Sequence, residues 1–146
     1  MNRNLIYIIL SLAILLPASL SGQSVREGAE SANMIISAVE RYNERDIDGA
    51  KNILQQIIAE DSENDAAWYY MALCAIAGND VEMAEQGFRM ASELDPDNFW
   101  YRYRLARLYS MTSRPELTVD MYEKLLEDFP KKSDLYFDLV EMYAAQ

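Results

Sequence analysis

Histidine is absent from this sequence and cysteine occurs once, at Cys74. The first absence removes the usual general base and the commonest metal ligand. The second leaves no partner for an intrachain disulfide, so Cys74 reads as a small packing residue, and a redox role would need a second chain. Only five glycines are present, and none forms the glycine-rich loop that cradles a phosphate. Basic residues are in the minority: 13 Lys and Arg against 24 Asp and Glu give a net charge of -11. That balance argues against nucleic acid as a partner, since a phosphate backbone needs a basic surface. No stretch alternates in polarity for long enough to make a strand.

Carboxylates are what the chain has in excess. The run Glu60, Asp61, Glu63 and Asp65 invites a metal-site reading, but it lacks the alternating ligands and central glycine of a calcium loop. It reads instead as a solvated turn with capping acids at a helix start. Asp95 and Asp97, around Pro96, belong to the same class. With no nucleophile paired to a base, the chain is expected not to be an enzyme, and no cofactor, metal or small-molecule substrate is expected.

Residues 1–22 are a separate compositional unit. Arg3 gives a positive start, Leu5 to Leu16 an apolar run, and Pro17 to Gly22 an ending rich in small residues. That is the layout of a secretory signal peptide, with cleavage expected after Ser21 or Gly22. The apolar run, of about 12 residues, falls short of the roughly 20 that span a membrane. No cysteine follows it, so the bacterial lipoprotein signal is missing. The mature chain is expected in a bacterial periplasm or outside the cell, touching the membrane only through the signal segment before cleavage. An uncleaved N-terminal anchor is the alternative. Polar residues 23–30 are expected as a flexible lead-in.

From Ser31 onward the apolar residues follow helical spacing. Helices are expected at about 31–44, 47–60, 65–77, 81–94, 99–112, 115–128 and 133–145. Trp68, Met71, Ala72 and Ala75 make one stripe; Gly78 is expected to end it in a positive-φ conformation. Met83, Ala84, Phe88 and Ala91 make the next, which stops at Asp95-Pro96. The caps expected are Asp46, Asp65, Asn79 or Asp80, Ser113 ahead of Pro115, and Ser133-Asp134.

The unit 65–98 recurs with a period of 34 residues. Trp68, Ala72, Ala84, Phe88, Ala91 and Pro96 become Arg102, Ala106, Thr118, Tyr122, Leu125 and Pro130 one period later. One period earlier they become Met34, Ala38, Ala50, Leu54, Ile57 and Ser62. Tyr136 and Val140 continue the Trp68 and Ala72 columns, and Tyr109, Tyr122, Tyr136 and Tyr143 fall in core columns. Small residues in these columns suit a close approach of two paired helices.

A helix-turn-helix period of this length, running aromatic, small, aromatic, proline, resembles the tetratricopeptide repeat. The resemblance implies an all-α, right-handed superhelical solenoid over 31–146. Its repeats would be 31–64, 65–98 and 99–132, with a final or capping helix at 133–145. Departures are Arg102 for the aromatic, Ser62 for proline, and Arg41 in the column of Ala75, Tyr109 and Tyr143. Whether the array ends there or continues is open, with a longer array favoured.

In this family the first helix of each pair lines a concave face that holds extended peptides or partner helices. Carried onto this chain, the face consists of Ile35, Ile36 and Val39, then Tyr69, Tyr70 and Leu73, then Trp100, Tyr103, Arg104 and Arg107. Aromatics and arginine are enriched in binding hot spots, though tyrosines and tryptophans also fill helix–helix cores. Arg102, Arg104, Arg107 and Arg114 lie in a stretch without acids, where a partner's carboxylates would find a bidentate fork. The competing reading is neutralisation of Glu85, Glu116 and Asp120. The family's carboxylate clamp for chaperone tails is not matched, since Ile35, Val39, Tyr70 and Trp100 hold its places and only Arg104 fits. The resemblance therefore implies a protein-interaction scaffold of the cell envelope that binds another protein. The alternative is the N-terminal portion or accessory subunit of a larger envelope assembly, secretion or enzyme complex.

Overall fold

The first helix, α1, covers residues 28–43. After it come α2 (Ile47–Glu60), α3 (Asp65–Ala77), α4 (Val81–Leu94), α5 (Phe99–Met111), α6 (Pro115–Asp128) and α7 (Ser133–Ala144). These elements come from a computed structural model that describes residue 26 and residues 28–144, with the backbone alone at Ser133 and Asp134. The expected signal segment 1–22 lies outside the described residues, as do residues 23–25 and 27 of the lead-in. Residues 28–30 are already helical, ahead of the expected start at Ser31; Ala29 and Glu30 are good helix formers and extend the segment N-terminally. Among the described residues there is no strand.

The period expected from the sequence is written into the backbone. Arg45, Asn79 and Ser113 hold left-handed φ values of 69°, 58° and 56°. Their neighbours Asp46, Asp80 and Arg114 each donate a backbone N–H to the carbonyl five residues back, at Arg41, Ala75 and Tyr109. That is a Schellman closure of the first helix of each pair. The left-handed residue is thus Asn79 and not Gly78, whose φ is -91°; asparagine tolerates that region, and Gly78 remains the last nearly helical residue. The turns between pairs repeat as well. Asp61, Asp95 and Phe129 donate to Ile57, Ala91 and Leu125, and Asn64, Asn98 and Lys132 donate to Asp61, Asp95 and Phe129.

Capping differs from expectation at two helices. Asp46 and Asp80 cap α2 and α4 through their side chains, accepting from the N–H groups of Gly49 and Met83. At α3 the cap is Asn64, which accepts from Ala67 N–H, and not Asp65. Asp65 sits one residue inside, where its charge meets the positive end of the helix. At α6 the cap position is Arg114, without a side-chain bond. Ser113 is taken up by the left-handed turn, and Pro115 needs no N–H partner. The expected cap at Ser133-Asp134 involves side chains outside the description.

Each helix packs on its successor from α2 to α7, and the apolar stripes close three successive cores. The first joins Ala38 of α1, Leu54 and Ile57 of α2, and Ala67, Met71 and Cys74 of α3. The second joins Ala72 and Ala75 to Ala84 and Phe88, with Leu105, Leu108 and Tyr109 of α5 behind them. The third joins Ala106, Tyr122, Leu125 and Leu135. Cys74 is fully buried in the first core, and burial pushes its thiol pKa up. The architecture is an all-α helical repeat solenoid. Tyr109 and Tyr122 are core residues, whereas Tyr136 and Tyr143 are each 50% exposed. Those two columns belong to the face a second helix covers, and among the described residues no helix lies over α7.

The α3–α4 contact depends on Gly87. A Cβ there would come within 2.8 Å of the Trp68 carbonyl oxygen and 2.9 Å of the Ala72 Cβ. Only glycine permits that approach. One period on, its column holds Met121.

Candidate functional site: the face of the first helices

The ten residues expected on this face divide into two groups. Ile35 and Tyr70 are half-buried against the first core, Tyr69 and Leu73 against the second, and Tyr103 against the third. Val39 is half-buried too, while Ile36, Trp100, Arg104 and Arg107 are exposed. The half-buried group lies along the seams between successive first helices, because a side chain one step from a core column shares the neighbouring helix's surface. Tyr69 shows this directly. Its ring centroid is 4.9 Å from that of Tyr101 on α5 and 5.8 Å from that of Phe88 on α4.

Tyr101 donates its hydroxyl to Asp65 Oδ2 at 2.8 Å, tying α5 to the start of α3. Burial first, and the Asp65 hydrogen bond second, hold its phenol far above the ordinary tyrosine value. Tyr103, also on α5, makes a tie in the other direction, donating to Asp138 Oδ2 of α7 at 3.2 Å. The Tyr103 hydroxyl also lies beside the Arg107 guanidinium and raises its pKa further.

An aromatic cluster builds the C-terminal part of the face. Phe99 stacks on Tyr103 with ring centroids 5.4 Å apart and an interplanar angle of 14°. Trp100 meets both rings edge-on, at 5.2 and 6.1 Å. Lys132 Nζ lies 4.5 Å from the Phe99 ring centroid and 5.5 Å from that of Trp100, a cation over two aromatic faces. Phe99 and Lys132 were not among the expected face residues. The signal for Lys132 was its register, one period after Asn98, which places it at the start of the next first helix.

The four arginines of this stretch have separate fates. Arg114 pairs with Glu85 at 2.8 Å and lies over the Tyr109 ring, 4.4 Å from its centroid. Arg102 pairs with Asp128 at 2.6 Å. The partners are one of the expected acids and one unexpected, since Asp120 pairs with Lys124 instead. Arg104 and Arg107 make no ion pair among the described residues.

A cleft of about 920 Å³ lies elsewhere, at the N-terminal edge between α1, the end of α2 and the start of α3. Of the expected face it takes in only Ile35 and Ile36. Among the described residues no three metal-ligating side chains converge, and no helix is long and apolar enough to cross a membrane.

Two family models match the sequence, both described as tetratricopeptide repeat, over residues 42–98 and 101–132. The chain belongs to the tetratricopeptide repeat family. Arg102, in the aromatic column of the repeat, is accommodated within the family's geometry. Trp68 donates its indole N–H to the Ser62 carbonyl at 2.9 Å, and Arg102 Nη1 reaches the corresponding Pro96 carbonyl at 3.4 Å. The guanidinium thus takes over the indole's donor role and lies 5.9 Å from the Phe129 ring centroid.

Solved structures share the fold at low identity. MamA aligns with a TM-score of 0.72 and 14% identity over 84% of this chain and 73% of its own. The first tetratricopeptide domain of Spaghetti (RPAP3), solved with the HSP90 peptide SRMEEVD, gives 0.70 and 16% over 79% and 91%. The Yersinia enterocolitica secretion chaperone SycD, solved with a peptide of the translocator YopD, gives 0.68 and 13% over 78% and 89%. No curated protein matches the sequence.

Proposed function

We propose that this chain is a non-catalytic protein-interaction scaffold that holds an extended peptide or helix of a partner on the face made by α1, α3 and α5. Export to the cell envelope by residues 1–22 is part of the proposal. The observation that carries it is the unequal treatment of the arginines. Arg102 and Arg114 are tied into the fold, while Arg104 and Arg107, one and two helical turns on from Trp100, are exposed, as is Trp100 itself at 55%. An exposed tryptophan on the same helix as two guanidiniums that make no ion pair among the described residues suits a partner segment that offers an apolar anchor and a carboxylate. Peptide complexes of Spaghetti and SycD, which share the fold, support the reading.

The test is a pull-down from the native envelope fraction with residues 23–146. It runs beside a variant carrying Tyr70→Ala, Trp100→Ala and Arg104→Ala, with circular dichroism confirming that the variant stays helical. Capture by the parent and loss by the folded variant is expected. Equal capture by both would remove the face from consideration. Export is checked by the N-terminal sequence of the chain recovered from the envelope, expected to begin at Gly22 or Gln23. An intact Met1 would favour the uncleaved anchor.

A further inference from the structure

Two columns of the first helices change character along the solenoid. Ile36 on α1 becomes Tyr70 on α3, Arg104 on α5 and Asp138 on α7. Val39 becomes Leu73, Arg107 and Glu141 in the same order. Two uncharged steps are thus followed by a basic step and then an acidic one. The α5 and α7 steps are neighbours, since Tyr103 of α5 donates to Asp138 Oδ2 across the seam at 3.2 Å. Arg107 lies beside the same hydroxyl, so Arg107, Tyr103 and Asp138 are partners within the fold. Arg104 and Glu141 are left over. Both are exposed, and neither makes an ion pair among the described residues.

These columns stay open when further helices follow, because Arg104 and Arg107 are exposed with α6 and α7 in place. Helices that follow α7 on the same plan leave its two columns open as well. We propose that the face selects an extended partner segment whose side chains run apolar, apolar, acidic, basic from α1 to α7, with the acid on Arg104 and the base on Glu141. First helices that share a seam lie about 10 Å apart, and an extended chain advances about 3.3 Å per residue. The four side chains therefore recur at roughly every third residue. This order of side chains deepens the reading of the face as a peptide groove and rests on it. The chain's own N-terminal segment does not match the order, since residues 1–25 contain no Asp or Glu to meet Arg104.

The probe is a ten-residue peptide, Leu-Ser-Gly-Leu-Ser-Gly-Glu-Ser-Gly-Lys, with blocked ends and a neutral dye. It reaches all four first helices only when extended, at about 33 Å against about 15 Å as a helix. The control exchanges Glu and Lys. Each is also made with its residues in reverse order, because the order of side chains along the face is proposed and the direction of the main chain is not. Fluorescence anisotropy with the full chain at low salt is expected to show the matched order binding about ten-fold tighter than the exchanged one, as two exposed ion pairs replace two like-charge contacts. Arg104→Glu with Glu141→Arg is expected to reverse the preference. Ile36→Ser is expected to weaken both peptides to the same degree. All three positions are exposed, and circular dichroism checks that the variants are folded. Equal binding of the matched and exchanged peptides, no binding of either, or a preference that survives the charge swap would each overturn the proposal. Equal binding that Ile36→Ser still weakens would leave the groove itself standing. If neither peptide binds, the pull-down judges the groove independently. A dimer of the chain, seen by sedimentation, that the matched peptide dissociates would also overturn the proposal, because the groove would then hold a second copy.

Discussion

The middle helix pair, α3 with α4, and the last pair, α5 with α6, share one backbone plan but not one kind of contact. Between α3 and α4 the main chains themselves approach, since Gly87 lies against the Trp68 carbonyl and Ala72. Between α5 and α6 the same column holds Met121, half-buried among the second and third cores. Thr118 replaces Ala84 there, and its hydroxyl bonds back to the Arg114 carbonyl at 3.0 Å. The repeat's recurring columns decide which faces meet, and the Gly87 column decides how near they come.

Exchanging the residues of that column breaks the comparison most directly. Gly87→Met should cost about 3 kcal/mol, because a well-packed contact must open to admit a side chain aimed at backbone. Gly87→Ala sharpens the point through its sign. In an exposed helix this change gains up to about 1 kcal/mol of propensity, but here the added Cβ has no room and stability should fall. Urea unfolding of both variants measures it, and a stabilised Gly87→Ala would show that the close approach is absent. The reciprocal change, Met121→Ala, should cost about 2 kcal/mol, at the low end for a core methionine because the side chain is only partly buried.

A smaller effect is expected where the two pairs differ in the aromatic column. Arg102 is 17% exposed and bridges the Pro96 carbonyl and Asp128. Arg102→Ala should cost about 1 kcal/mol, mostly from lost packing of the side-chain stem, since Asp128 is 54% exposed and solvent screens the pair. Arg102→Trp should recover that loss by restoring the indole donor found at Trp68. Thermal melts in low and high salt separate the two contributions. If Arg102→Ala lost its whole effect in high salt, the ion pair and not the packing would be the source.

The fold was legible because one period carries it. Trp68, Ala72, Phe88 and Pro96 announce the helix pair, and their recurrence predicts the order and bounds of the elements. Less was legible where the backbone alone makes the turn. Asn79 holds the left-handed position expected of Gly78, and Ser113 is absorbed into the equivalent turn instead of capping α6. The face was read column by column, which names the residues one step from the core but not how deeply each sinks. Tyr69 lies between Tyr101 and Phe88, while Trp100 keeps more than half of its surface exposed. That difference arises from contacts between successive repeats, which no single-repeat pattern contains. Tyr136 and Tyr143 show the same limit, because a core column is buried only when a following helix covers it.

The smallest effects at neutral pH are expected at two tyrosines, Tyr101 where the two pairs meet and Tyr122 on α6. Tyr101→Phe removes a 2.8 Å hydrogen bond to Asp65 and should cost about 1 kcal/mol at pH 7. Tyr122→Phe should cost less, since the Tyr122 hydroxyl has no hydrogen bond among the described residues. The two converge in alkali. Burial is the main cause of a raised phenol pKa at both positions, and the charge of Asp138 adds to it at Tyr122. An unfolded tyrosine titrates near 10. Each phenol's folded value lies above that, so its contribution is complete below about pH 10 and is lost as the pH climbs toward the folded value. Unfolding free energy should therefore be flat from about pH 7 to 8, start to fall above about pH 8.5 as the buried Cys74 thiol adds a loss of the same sign, and fall more steeply beyond about pH 10, where the fall is shallower in either phenylalanine variant. An unchanged alkaline slope in Tyr101→Phe would mean that its phenol ionises as freely in the folded chain as in the unfolded one, and the seam between the middle and last pairs would be open to water.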